Sequence, residues 1–313
     1  MKKAIHFNLI ILFCFLTPVF AQKEKEVSVK NVNGELHGTL LLPKEKKNIP
    51  VALIIAGSGP TDRNGNSGMM QNNSLKLLAT HLAENGIASL RYDKQGVGKS
   101  VNASKPEEEL RFSDFVDDAS HWIDFLAKNK RFSSIIVIGH SEGALIGKLA
   151  SQHEAVDKFV SIAGAGRTID EIILDQLEDQ SVELKNQATP VIEQLKQGEL
   201  VENPPSELVA LFRLSVQPYL ISWMELSPVE ALKSLAIPSL IIQGTTDIQV
   251  KVEEAEKLHQ AVSQSELVII EGMNHVFKDA PIDRDANIAA YMDPKLPLSE
   301  GFGEAIVGFI LGK

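Results

Sequence analysis

Unbroken apolar runs recur along this chain, separated by stretches in which apolar residues return every three or four positions. Val51–Ala56 (VALIIA) and Ser134–Gly139 (SIIVIG) are the runs expected of strands buried on both faces. Ile87–Tyr92, Lys158–Ala163, Ser239–Gln243 and Glu266–Glu271 read as further strands. Helical spacing marks Leu75–Glu84, Phe112–Lys128, Ala144–His153, Val252–Val262 and a final helix near Gly303–Leu311. In Phe112–Lys128 it gathers Phe115, Ala119, Trp122, Ile123 and Leu126 on one side. Glu26–Val32 and Glu35–Leu42 alternate around Asn33-Gly34 and predict a β-hairpin. Strands interleaved with helices predict the α/β class with a mostly parallel sheet and helices on both faces.

The rhythm breaks between Arg167 and Lys233. That segment has helical spacing (Ile169, Ile172, Ile173, Leu177) and no strand pattern. Pro190, Pro204, Pro205, Pro218 and Pro228 are expected to cut it into short helices. An all-helical insertion between two strands reads as a cap. The expected organisation is a core of 22–166 and 234–313 with a helical cap at 167–233.

The amino terminus follows different rules. Lys2 and Lys3 precede an apolar run from Phe7 to Leu16, and Val19-Phe20-Ala21 supplies small residues at a cleavage site. This is the pattern of a secretory signal peptide over 1–21, cleaved after Ala21. It predicts a periplasmic or secreted protein with no stable membrane anchor. Cleavage would also remove Cys14, the only cysteine, leaving no thiol for catalysis, disulfides or metal binding. The whole chain has 313 residues with 31 Lys+Arg against 41 Asp+Glu, and that acidic balance argues against a nucleic-acid partner. The cap segment holds 12 acidic and 5 basic residues. If they face the substrate, neutral or cationic substrates should be preferred over anionic ones.

Gly139-His140-Ser141-Glu142-Gly143 matches G-x-S-x-G. The pentapeptide alone arises by chance in roughly one chain in ten of this length. Its position makes it specific, because it follows an apolar strand and opens a helix. Such a turn projects Ser141 Oγ at the carboxyl end of the sheet, and the flanking glycines let strand and helix approach closely. The helix amino end and the Glu142 N–H favour a developing oxyanion. A serine needs a base, and in this arrangement acid and histidine follow it in that order. Of the eight histidines, His275 lies in the loop after strand Glu266–Glu271 and is the candidate. Asp247 ends the preceding strand's loop and is the candidate acid, with Asp170 second. The loop Gly57-Ser58-Gly59-Pro60 after the first buried strand is the candidate source of the second oxyanion donor, through Ser58 N–H.

Two other patterns lose to simpler readings. Gly96-Val97-Gly98-Lys99-Ser100 resembles the end of a phosphate-binding loop, but Asp93 stands where its first glycine belongs. Thr61–Asn66 suggests a calcium loop but lacks the terminal glutamate. No histidine pair has zinc-site spacing, so neither metal nor cofactor is expected.

With these residues placed, the chain resembles the α/β-hydrolase family, and within it bacterial esterase-like members with a helical cap. The segments that carry the likeness are IAGSGPTDRNGN (55–66), LRYDKQGVGKS (90–100), IGHSEGALIG (138–147), IQGTTDIQV (242–250) and EGMNHVFK (271–278). The resemblance implies an eight-stranded sheet, a Ser141–His275–Asp247 triad and hydrolysis of a small-molecule carboxylic ester through an acyl-enzyme. The Gly-Ser-Gly-Pro loop departs from the His-Gly-Gly-Gly of many lipases. The cap's aliphatic residues, with Tyr219, Trp223 and Met224, fit a neutral substrate with an apolar acyl group. A serine peptidase of aminopeptidase type is the alternative, and a non-catalytic binding protein is a third reading.

Overall fold

The computed structural model describes residues 23–44, 47–68 and 70–313. The expected signal peptide, with Cys14, lies outside the described residues. Among the described residues eight strands form one sheet in the order β1-β2-β4-β3-β5-β6-β7-β8. β1 (Lys23–Lys30) and β2 (Glu35–Leu42) make the antiparallel hairpin, closed where Asn31 Oδ1 accepts the N–H groups of Asn33 and Gly34. β2 also runs antiparallel to β4 (Ala88–Tyr92). β3 (Ile49–Ile55), β5 (Phe132–His140), β6 (Lys158–Ile162), β7 (Ser239–Gly244) and β8 (Glu266–Ile270) continue the sheet in parallel.

Both faces of the central strands are buried, which is why their sequences are continuous rather than alternating. Val51, Leu53 and Ile55 of β3 join one core layer, while Ala52 and Ile54 join the other. β5 divides in the same way, Ile135 and Val137 against Ile136 and Ile138. The first layer is covered by α2 (Phe112–Ala127), α3 (Glu142–Ala150) and α9 (Val252–Ala261). The second is covered by α1 (Ser74–Glu84) and α11 (Phe302–Leu311). Trp122 of α2 and Phe302 of α11, both fully buried, anchor the two layers.

Between β6 and β7 the chain is helical: α4 (Ile169–Glu178), α5 (Val182–Lys196), α6 (Val209–Phe212), α7 (Gln217–Met224) and α8 (Pro228–Lys233). Ile173, Leu177, Ala188, Val191, Ile192, Leu195, Phe212 and Leu220 form a hydrophobic cluster of their own. Pro218 and Pro228 sit in the first turn of α7 and α8, where a missing N–H costs nothing. Pro190 corrects the sequence expectation: it does not end a helix but lies inside α5. Its ring disturbs the ladder at the preceding turn, and Thr189 Oγ1 there donates to Lys185 O at 2.8 Å. Burial of Ala188, Val191 and Ile192 against the cluster holds the helix together across the proline. α10 (Arg284–Ala290) follows the β8 loop on the core.

Candidate active site

The elbow is the sharpest local feature of the backbone. β5 ends at His140, α3 begins at Glu142, and Ser141 alone makes the turn, with φ 54° and ψ −120°. The helix therefore starts two residues earlier than its spacing suggested. Those angles lie outside the regions open to L-residues, so the surrounding structure must impose them. The clamp is visible. Ser141 N donates to Ile162 O of β6 at 2.9 Å, and Ala144 N donates to Ser141 O at 2.9 Å. A Cβ on Gly139 would lie 2.1 Å from Gly143 O, and one on Gly143 would lie 2.5 Å from Ile55 O. Strand and helix thus meet at a distance only glycine permits.

Asp247 and His275 stand at the carboxyl ends of β7 and β8. His275 Nδ1 lies 2.7 Å from Asp247 Oδ2, and both side chains are buried. Asp247 Oδ1 accepts the N–H groups of Gln249 and Val250 at 2.8 and 3.0 Å, and Gln243 Nε2 donates to Oδ2 at 2.9 Å. Burial works against the carboxylate, but the His275 ring and those backbone donors overcome it and hold Asp247 below the usual carboxylate range. Gly244 lets the two loops touch, because a Cβ there would lie 2.0 Å from Met273 O. Asn274 Oδ1 accepts Val276 N and Lys278 N, which shapes the turn that carries His275. Asp170, the second candidate for the acid, is elsewhere: it is buried in α4 of the helical insertion and paired with Lys196.

The structure brings Ser58, Ser141 and His275 to one cavity of about 240 Å³, bordered also by His140, Pro60 and Tyr291. Ser141 and Ser58 also border a second cavity of about 320 Å³ beneath the helical insertion, where Leu145, Ile173, Leu211, Leu220 and Trp223 supply an apolar wall. Ser141 sits between the two.

Three more residues complete the site: His140 and Lys94, which the sequence reading gave no role, and Tyr219, which it counted only among the apolar residues of the insertion. His140 packs against His275 with ring centres 4.7 Å apart, and its Nε2 is 2.9 Å from His275 O. Burial and the neighbouring His275 push its pKa down to about 3, so the ring stays neutral and donates to that carbonyl through Nε2–H. Lys94 Nζ, only 2% exposed as a residue, donates to Gly57 O at 2.6 Å and to Glu142 Oε2 at 2.5 Å. Tyr219 of α7 donates its O–H to Glu142 Oε1 at 2.6 Å. The signal for Lys94 was present in DKQG, but nothing local connects it to Glu142, 48 residues away.

The two discounted motifs are spent on structure. Asp93 accepts Lys99 N and pairs with Arg63 at 2.7 Å, and Asp62 Oδ1 accepts Asn64 N and Asn66 N. Among the described residues no cluster of metal-ligating side chains occurs, and no helix is long and apolar enough to cross a membrane. The expectation that the cap's acidic excess faces the substrate does not match its placement. Ten of the twelve acids are exposed, and Asp170 and Asp175 are paired with Lys196 and Arg167. None of the twelve borders the apolar cavity, whose charged side chains are Glu142, Arg167 and Arg213. Each of these three is paired, with Lys94, with Glu254 and Asp175, and with Glu107.

A sheet of this order, with an elbow serine after β5 and an acid–histidine pair after β7 and β8, defines the α/β-hydrolase fold, and the chain has that fold. The family model for serine aminopeptidases of the S33 type matches residues 69–208, a span that contains Ser141. Among curated proteins the chain is similar to esterase EstD of Thermotoga maritima, at 28% identity over 270 residues. That match covers 83% of this chain and 63% of the relative's length. Among solved structures, Est1E of Butyrivibrio proteoclasticus with bound ferulic acid superposes with a TM-score of 0.61 at 20% identity, covering 91% of this chain and 98% of that one. An esterase of Pyrococcus furiosus superposes with a TM-score of 0.61 at 16% identity, covering 93% and 91%.

Proposed function

We propose that this protein is an exported serine hydrolase that cleaves neutral carboxylic esters with an apolar acyl group. The observation that carries the reading is the buried Asp247–His275 pair at 2.7 Å opening on the cavity that the strained Ser141 borders. His275 removes the proton from Ser141 Oγ as it attacks the ester carbonyl. Asp247 holds the ring in the Nδ1–H tautomer and stabilises the imidazolium. The N–H groups of Glu142 and Ser58 receive the oxyanion. His275 returns the proton to the departing alcohol, and water then attacks the acyl-enzyme with the same base.

The cavities divide the substrate. The apolar wall under the cap suits the acyl chain, and the smaller space beside His275 suits the alcohol. With every charged group of the acyl cavity already paired, a neutral acyl chain fits better than an ionic one. The names of the esterases to which the chain is similar support ester hydrolysis as the reaction class. The description of the matched family model favours a second reading, a serine aminopeptidase. Such an enzyme needs an unpaired carboxylate for the substrate amine. The one acid bordering the acyl cavity, Glu142, is occupied by Lys94 and Tyr219. Export rests on the Lys2–Ala21 pattern alone.

The test is hydrolysis of p-nitrophenyl esters of graded chain length beside aminoacyl-arylamides. The reading expects turnover of the esters, abolished by Ser141→Ala. Activity retained by that variant, or turnover confined to the arylamides, would refute it.

A further inference from the structure

Lys94 makes an unusual choice of partners. Its ammonium is buried and grips two acceptors, Gly57 O and the Glu142 carboxylate. Gly57 O belongs to the peptide whose other end is Ser58 N–H, and in a trans peptide those two groups point in opposite directions. A donor fixed on the carbonyl therefore fixes the direction of the N–H. Ser58 N–H finds no acceptor among the described residues, and Glu142 N–H, in the first turn of α3, has none within its helix. These are the two N–H groups that the proposed mechanism assigns to the oxyanion. Gly57 packs closely on the nucleophile: a Cβ there would lie 3.2 Å from Ser141 Cβ.

We propose that Lys94 is the positioning residue of the oxyanion hole, holding the Gly57–Ser58 peptide and the Glu142 side chain in one clamp so that both N–H groups converge beside Ser141. This rests on the serine-hydrolase reading above. The clamp ties together three segments distant in sequence: the loop after β3, the loop after β4 and the start of α3. Its cation also polarises the Gly57–Ser58 peptide, which strengthens Ser58 N–H as a donor. Tyr219 extends the clamp into the cap, because its ring borders the acyl cavity while its hydroxyl holds the second oxygen of Glu142. An acyl chain packed on Tyr219 thus bears on the residue that follows the nucleophile. The Phe115 ring closes the clamp on one side, its centre 5.4 Å from Lys94 Nζ.

Lys94→Met alone would leave a buried carboxylate unpaired. The informative variant is therefore Lys94→Met combined with Glu142→Gln, which removes both charges and keeps the volume. With a p-nitrophenyl ester, kcat should fall about 100-fold, the loss typical of one missing oxyanion donor, while KM changes less than about threefold. Affinity for an alkylboronic acid, whose tetrahedral adduct places an oxygen in the hole, should fall in step with kcat. A merely structural role predicts instead a lowered melting temperature with kcat and boronate affinity unchanged in the folded fraction, and that result would overturn the proposal. Should the double variant not fold, Lys94→Arg keeps the buried cation but not the reach of one ammonium to both acceptors. Its kcat should fall with KM held, and an unchanged kcat would overturn the proposal. The parent separates the two claims. Activity surviving Ser141→Ala refutes the serine reading itself, whereas activity lost there but retained by the Lys94 variants refutes only the clamp.

Discussion

Replacing Ser141 by glycine should abolish hydrolysis and make the protein more stable. Ser141 is held at φ 54° and ψ −120°, a conformation that costs a non-glycine residue about 1–3 kcal/mol. Glycine adopts it freely but loses about 0.5–1 kcal/mol more backbone entropy on folding. The hydroxyl itself is only half-buried, so its removal adds little. The balance is a gain of roughly 0.5–2 kcal/mol for Ser141→Gly. Ser141→Ala keeps the Cβ and the strain, and it serves as the control that loses the nucleophile without relief. At ~2 °C per kcal/mol for a chain of this size, the two variants should melt up to about 4 °C apart, with glycine above alanine. Reversible denaturant unfolding followed by far-ultraviolet circular dichroism gives the same difference as a shift in midpoint at constant slope. Equal stability of the two variants would mean that the elbow is not strained and that the angles follow from the local sequence.

Asp247→Asn should leave the fold intact and lower kcat by about 10⁴-fold, because an amide cannot hold His275 in the Nδ1–H tautomer; a loss below tenfold in ester turnover would show that Asp247 is not the acid of the site. Asp118, held by Asn31 and Gln95, is pushed up to about 7 chiefly by burial. Its protonated form is therefore favoured by the fold: its contribution to stability is complete below the unfolded value near 4 and is lost as pH rises through 7. The span of about 3 pKa units sets an upper bound of about 4 kcal/mol. Asp118→Asn should flatten this dependence, since its amide can donate to the otherwise unpartnered Gln95 Oε1. Parallel stability curves for parent and variant between pH 4 and 8 would refute the assignment.

The strands were legible because burial on both faces leaves a continuous apolar run, a signal carried by adjacent residues. Val51–Ala56 and Ser134–Gly139 needed no tertiary information, and neither did α2, whose stripe from Phe115 to Leu126 sets its buried face. The elbow was legible for a related reason, since Gly139, Ser141 and Gly143 lie within one turn and their steric demands are local. Chain order then led to Asp247 and His275, and the fold sets them 2.7 Å apart although 28 residues separate them. The helical character of 167–233 could be read, but the behaviour of Pro190 could not, because packing of Ala188, Val191 and Ile192 decides whether a helix survives its proline.

Charge shows most clearly where sequence stops. The sequence by itself determined that the segment 167–233 is acidic, but a count of carboxylates carries no direction. Only the tertiary structure decided that those groups turn outward or pair, and that the apolar cavity beneath the helical insertion keeps no free charge. The same holds for the Lys94 clamp. Its contacts with Gly57 O and Glu142 cross 37 and 48 residues of chain, a distance closed only when β3, β4 and β5 pair in one sheet. Local periodicity specifies which residues are buried in which element, whereas the meeting of loops at the carboxyl edge of the sheet is a property of strand order and register.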